Sequence, residues 1–270
     1  MRIPSPIEEI RDERMAAAGV RLLLKRDDLI HPDIPGNKWR KLKYNLVAAG
    51  TRPLLTFGGA YSHHIRATAA AGAMFGFETV GVIRGEEHLP LNTMLQFAVD
   101  HGMRLIYLDR QAYREKNALR FDDFYVIPEG GSNTLAVRGC AELPAEIVED
   151  FDIICCSVGT GGTLAGIASA LRPGQRAMGF SALKGGQFLH DEVRRLQGQD
   201  SNNWHIETEF HFRGYAKRTP ELDGFIDDFE RMHDLRLEWV YEAKMMYGIF
   251  ALAQRGEFRS GTTVVAVISA

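Results

Sequence analysis

Cysteine is scarce in this sequence, and its placement excludes more than its count. The 270 residues contain three, Cys140, Cys155 and Cys156, with no Cys-x-x-Cys pair and no Cys/His spacing of a zinc ligand set. A disulfide framework and a structural zinc site are both unsupported, and the pattern fits a reducing compartment. Long apolar runs are lacking as well. No stretch reaches the length of a membrane span, and the start, Met1-Arg-Ile-Pro-Ser-Pro6, has no signal-peptide apolar region. We therefore expect a cytoplasmic protein with no membrane partner. Nor is there a block of like charge. The 32 Lys and Arg are intermixed with 35 Asp and Glu, net −3, so the concentrated basic face of a nucleic-acid groove is missing.

What is present is alternation. Strand-like runs at Arg21–Lys25, Pro53–Phe57, Thr79–Ile83, Arg104–Leu108, Tyr125–Ile127, Ile153–Cys156, Ala177–Ser181 and Thr263–Ile268 are separated by helix-like segments. These run over Trp39–Ala49, His64–Phe75, Pro90–His101, Ala136–Glu149, Thr163–Leu171, Gly186–Gln197, Glu221–His233 and Ala243–Arg255. Strand and helix in turn predict a parallel α/β fold. The compact run of units after Leu46, closed by Pro128-Glu-Gly-Gly-Ser-Asn133, predicts a smaller α/β domain over 46–127. It would be inserted into a larger one made of 1–45 and 128–270. Ligands in such a fold lie outside the carboxyl ends of the strands, often between domains.

The most informative stretch runs from Phe151 to Leu171: a short apolar run, a Ser/Thr/Gly loop and an Ala-rich amphipathic segment. Strand, glycine loop and helix together make an anion site from free backbone amides and a positive dipole end. A Walker loop needs Lys and then Ser or Thr after its second glycine, and here Gly162 precedes Thr163-Leu164. A dinucleotide fingerprint needs a third glycine and a later acidic residue, and neither is in place. A small phosphate-bearing cofactor remains, and so does a plain tight turn that packs helix on sheet. Such a cofactor needs a reactive partner. Lys38, in Pro35-Gly-Asn-Lys-Trp-Arg-Lys-Leu-Lys43, sits at the start of a helix near Arg40 and Lys41. Positive neighbours lower an amine's pKa, which suits an amine that must form an imine, although a lysine there would also serve as ordinary surface.

Lys25-Arg-Asp-Asp-Leu29 followed by Gly36-Asn-Lys-Trp-Arg-Lys-Leu-Lys-Tyr44 resembles the lysine segment of the fold-type II pyridoxal-phosphate enzymes. The branch it is most similar to is that of 1-aminocyclopropane-1-carboxylate (ACC) deaminase and D-cysteine desulfhydrase. The resemblance continues at Gly58-Gly-Ala-Tyr-Ser-His-His-Ile-Arg66, at Pro128–Asn133, at the glycine loop, at Gly214-Tyr215 and at Val240-Tyr-Glu-Ala-Lys244. It implies two open-sheet α/β domains of tryptophan-synthase-beta-like architecture, with pyridoxal 5'-phosphate in the interdomain cleft, and a homodimer. Carried over by position, it makes Lys38 the lysine that binds the cofactor aldehyde and later moves a proton at the substrate carbon. Lys41 helps neutralise the phosphate, and Val158, Gly159, Thr160, Gly161, Gly162 and Thr163 form its cup.

Ser62 matches a serine facing the substrate carboxylate, and it also stands where a helix N-cap is expected. His63 replaces the asparagine that usually bonds the cofactor's ring oxygen. Tyr215 and Tyr241 match tyrosines near the substrate, the deaminases' candidate acids, bases or nucleophiles. Either would otherwise be a half-buried packing residue. Glu242 matches the deaminase carboxylate that bonds the pyridine nitrogen. The implied activity is that of a deaminase, a hydrolase or lyase releasing ammonia and a 2-oxo acid from a small amino acid. D-cysteine desulfhydrase is the alternative. The family's His-x-Gly-Gly turn after the last strand is missing from Val264-Val-Ala-Val-Ile-Ser-Ala270. That departure, with His63, also leaves room for a catalytically weak cofactor-binding protein.

Overall fold

The computed structural model describes residues 1–198 and 201–269, apart from the Asn117 side chain. In chain order its elements are β1 (Ile7–Ile10), α1 (Glu13–Ala17), β2 (Arg21–Arg26), α2 (Asn37–Ala49), β3 (Leu54–Gly59), α3 (His63–Phe75) and β4 (Thr79–Arg84). Then come α4 (Thr93–Asp100), β5 (Arg104–Leu108), α5 (Arg110–Arg114), β6 (Tyr125–Ile127), α6 (Thr134–Cys140), β7 (Ile153–Val158) and α7 (Gly162–Ser169). The chain continues through β8 (Arg176–Ser181), α8 (Leu189–Gln197), β9 (Trp204–Glu207), α9 (Pro220–His233), α10 (Glu242–Gln254) and β10 (Thr263–Ile268).

The strands form two sheets. One has six strands in the order β1-β2-β10-β7-β8-β9, all parallel except β1, and the other has four parallel strands ordered β5-β4-β3-β6. The central strands of the larger sheet are largely apolar because both faces are covered. Alternate residues of β10 divide accordingly. Val264, Ala266 and Ile268 join α9 and α10 in one core, while Val265 and Val267 join α7 and α8 in another. Cys155 and Cys156 divide the same way, and burial pushes both thiols up, Cys156 to about 12. All three cysteines are free. The face of β3 that carries Leu54 packs against α2 and α3 through Leu42, Leu46, Ala67 and Ala70.

Winding direction locates the site. From β7 the chain steps to β8 and β9 on one side, then returns as β10 on the other side of β7. The strand order therefore reverses between β7 and β10, and a crevice opens at their carboxyl ends.

Three differences from the sequence reading have physical causes. The expected helix Ala136–Glu149 stops at Cys140, and a short 3-10 turn follows over Pro144–Glu146. Pro144 brings no N–H, and its ring would clash with the carbonyl four residues back. Strands β1 and β9 were not anticipated. Each has only four residues at a sheet edge, and β1 shows no clean alternation.

Candidate active site

The first turn of α2 is held from below by a buried ionic cluster. Arg40, 1% exposed, donates from Nε and Nη2 to Asp27 at 2.6 and 2.8 Å, and from Nη1 and Nη2 to Glu146 at 2.7 and 2.8 Å. Lys25 pairs with Glu146 at 2.9 Å and donates to the Ser5 carbonyl, while the Ser5 hydroxyl donates to Asp27. Gly36 precedes the helix at φ +55, and a Cβ there would overlap the backbone of Ser269 at the end of β10. Only glycine lets the two segments pass so closely.

On that anchored turn Lys38 projects into a cleft at the carboxyl ends of β7 and β10. Its amine has no hydrogen-bond partner among the described residues. Although the side chain borders the cleft, protein surrounds it. That burial, with the nearby Lys41 cation, pushes its pKa down to about 7. The sequence reading credited Arg40 in this role, but Arg40 is turned into the ionic cluster.

The glycine loop closes one wall. Gly161 takes φ +80 as the N-cap of α7, with no side-chain cap, so the first amides of the helix face the cleft unpaired. A Cβ at Gly162 would lie 2.6 Å from the Ser132 hydroxyl and 3.4 Å from Lys41 Cε. Lys41 donates to the Gly130 carbonyl at 3.0 Å and to Ser132 Oγ at 3.1 Å. Ser132 and Thr160 hydroxyls meet at 2.6 Å, and Asn37 donates to the Thr163 hydroxyl at 3.2 Å. Val158, Gly159, Thr160, Gly161 and Thr163 line the cleft, and Gly162 stands just behind them.

The opposite wall is the start of α3. Ser62 lines the cleft and is also the N-cap, its hydroxyl accepting from the Ile65 amide at 3.3 Å. His63 faces the Tyr241 ring edge-on at 6.4 Å between centroids. Burial and then Lys38 push its pKa down to about 4, so it stays neutral at ordinary pH. His64, behind it, has one settled tautomer. Thr56 Oγ1 donates to the Ile127 carbonyl at 2.9 Å, so His64 Nε2, 2.8 Å from the same oxygen, must carry the proton.

Tyr215 and Tyr241 meet at 5.9 Å between centroids at the remaining side of the cleft. Burial holds both phenols above their ordinary range, Tyr241 further because Tyr215 sits beside it. The Glu238 carboxylate fixes the Tyr241 backbone, accepting from Val240 at 2.8 Å and Tyr241 at 2.9 Å. Glu242 is placed differently from the other expected residues. Buried at the first position of α10, it accepts hydrogen bonds from the Ser269 and Glu238 amides, while Ser269, not Glu242, lines the cleft.

Among the described residues lining the cleft, two are lysines and none is a carboxylate. The wall suits an anionic ligand with an aldehyde, and the comparisons agree. Residues 3–270 match the family described as pyridoxal-phosphate dependent enzyme. The chain belongs to this family. Over 268 residues it is 31% identical to a Pyrococcus furiosus protein named "Putative 1-aminocyclopropane-1-carboxylate deaminase", covering 88% of this chain and 82% of that protein. Over 273 residues it is 29% identical to the bifunctional D-cysteine desulfhydrase/1-aminocyclopropane-1-carboxylate deaminase of Arabidopsis thaliana, covering 86% and 67%. A solved structure of an ACC deaminase homologue superposes with a TM-score of 0.81 at 26% identity, over 98% of this chain and 89% of that one.

Pyridoxal phosphate is thus the cofactor of this enzyme, and the residues present fit it. An amine of lowered pKa stands in the same cleft as a cradle of amides, hydroxyls and a second cation that a Cβ at Gly162 would obstruct. Asn37, Ser132, His64, Glu238 and Ser269 were not anticipated as site residues. Asn37, Ser132 and His64 lay inside quoted motifs, whereas Glu238 and Ser269 carried no signal of their own. One consequence can be measured on protein freed of cofactor. An amine attacks an aldehyde only when neutral, so the rate at which the visible cofactor band returns should climb with a midpoint near pH 7. A midpoint near that of an ordinary lysine would contradict the burial of Lys38.

Proposed function

We propose that this enzyme is an ACC deaminase-like hydrolytic deaminase of small amino acids, carried above all by Lys38 facing the paired Tyr215 and Tyr241 across one cleft. Water and ACC would give ammonia and a four-carbon 2-oxo acid, with the ring bond opened and no other product. In this reading Lys38 would hold the cofactor through its amine and, as a free amine, would move a proton at the substrate's reacting carbon. Lys41, Thr160, Thr163 and the amides after Val158 hold the phosphate. Neutral His63 donates one N–H to the ring oxygen. Ser62 and the free amides at the start of α3 hold the substrate carboxylate. Bound there, pyridoxal phosphate supplies an electron sink for charge developing on the substrate carbon. Tyr241 and Tyr215, kept protonated by burial, deliver or hold the proton at the carbon where the ring opens.

Glu242 is assigned here to the pyridine side of the site through Ser269, whose amide it holds. Residues 46–127 with the four-stranded sheet, and 1–45 with 128–270 and the six-stranded sheet, form the two domains of the same proposal. A cytoplasmic homodimer is part of it as well.

D-cysteine desulfhydrase is the second reading, supported by the bifunctional Arabidopsis relative. With water, D-cysteine would give pyruvate, ammonia and sulfide. A product screen across ACC, D-cysteine, D-serine and L-serine separates the two. Ammonia with a four-carbon 2-oxo acid from ACC supports the deaminase, and sulfide from D-cysteine alone transfers the assignment. A normal cofactor band with no product from any of the four would defeat both readings. Tyr241→Phe is expected to lower turnover about 100-fold while leaving the cofactor band in place. Steady-state kinetics beside an absorbance spectrum checks both halves.

A further inference from the structure

Lys244 is a buried cation where a helix least favours one. It is the third residue of α10, at the positive end of the helix dipole, and it is 1% exposed. No carboxylate lies within ion-pair distance of it among the described residues. Burial pushes its pKa down to about 8 against the weaker pull of Glu238. What the ammonium does instead is donate to two carbonyls of another segment, Gly214 at 2.7 Å and His211 at 3.0 Å. That segment is strained. Phe212, Arg213 and Ala216 take φ of +47, +69 and +50, a region L side chains rarely adopt, and Gly214 stands at +114 between them. A loop with this backbone needs an external hold, and Tyr215 is carried within it.

We propose that Lys244 is a positioning residue that latches the 211–216 loop and so sets the Tyr215 ring against Tyr241 at the cleft. Glu238 performs the matching task for Tyr241, so each tyrosine is tethered by one ionisable side chain beside the start of α10. The link explains in one contact why the separate motifs Gly214-Tyr215 and Val240–Lys244 belong together. Its kinetic consequence rests on the proposed function, but its structural consequence does not.

Lys244→Met keeps the length of the side chain and removes every donor. Arg213 and Lys217 are exposed tryptic sites within or beside the loop. In the folded holoenzyme the variant should be nicked at these two sites roughly tenfold faster than wild type, because local opening sets the rate. Turnover should fall, and adding Tyr215→Phe should cost little more, since the latch acts through that ring. If Lys244→Met does not give folded holoenzyme, Lys244→Leu, which likewise removes every donor, enters the same comparison. Nicking at the wild-type rate in whichever variant is folded would overturn the latch. Faster nicking with kinetic losses that multiply would overturn its action through Tyr215. Absence of any turnover in wild type would count against the proposed function, and nicking alone would then decide the latch.

Discussion

Lys38→Ala is expected to abolish the visible cofactor band and to lower turnover by about 10⁴-fold or more, the loss of general acid–base catalysis plus covalent attachment. The size follows from the cleft. Among the described residues Lys38 is the amine there without a hydrogen-bond partner, whereas Lys41 is held by Gly130 and Ser132. Lys41 therefore cannot swing across to substitute without abandoning both contacts. The variant should still bind phosphate, because the amides after Val158 and Lys41 are untouched. Absorbance spectra and ammonia release on one preparation test the two losses together. Retained phosphate inhibition of cofactor uptake would show that the cup survives.

Asp27→Ala is expected to destabilise the fold by about 3–5 kcal/mol, since it leaves the buried Arg40 guanidinium short of its pair. Asp27 is wholly buried, and Arg40 reaches it through two donors. Chemical denaturation would measure the change. A loss under 1 kcal/mol would mean that the cluster is not what anchors α2. Acid should attack the same cluster. Burial alone would raise the Glu146 pKa, but hydrogen bonds and charge from Arg40, then Lys25, bring it down to about 2. A carboxyl depressed in the folded state contributes stability at pH above its unfolded range. That contribution is lost as the pH falls toward 2. Glu146→Gln should accordingly flatten the decline of melting temperature between pH 5 and about pH 2.

The parallel strands inside the sheets were legible because a parallel strand buried on both faces is a largely apolar run, as at Thr263–Ile268. The strand, glycine loop and helix were legible as a unit because adjacent glycines stand between an apolar run and an Ala-rich amphipathic segment. What escaped was set by distant partners. No local pattern says that β10 inserts between β2 and β7, yet that insertion opens the crevice and brings Ser269 beside Gly36. The low pKa of Lys38 was anticipated from charge alone, whereas burial by the surrounding fold is the larger cause. Glu242 illustrates the same gap. Its identity suggested a ring partner, and its geometry engages the backbone of Ser269 and Glu238. The edge strands β1 and β9 are too short for a period of two to register.

The central claim is that the cofactor is held by one lysine at the second position of α2. Borohydride treatment of the holoenzyme, followed by proteolysis and mass spectrometry, tests it most directly. The account predicts the reduced cofactor on the peptide containing Lys38 and on no other. Recovery of the label on Lys41, Lys244 or any other lysine, with Lys38 unmodified, would contradict it.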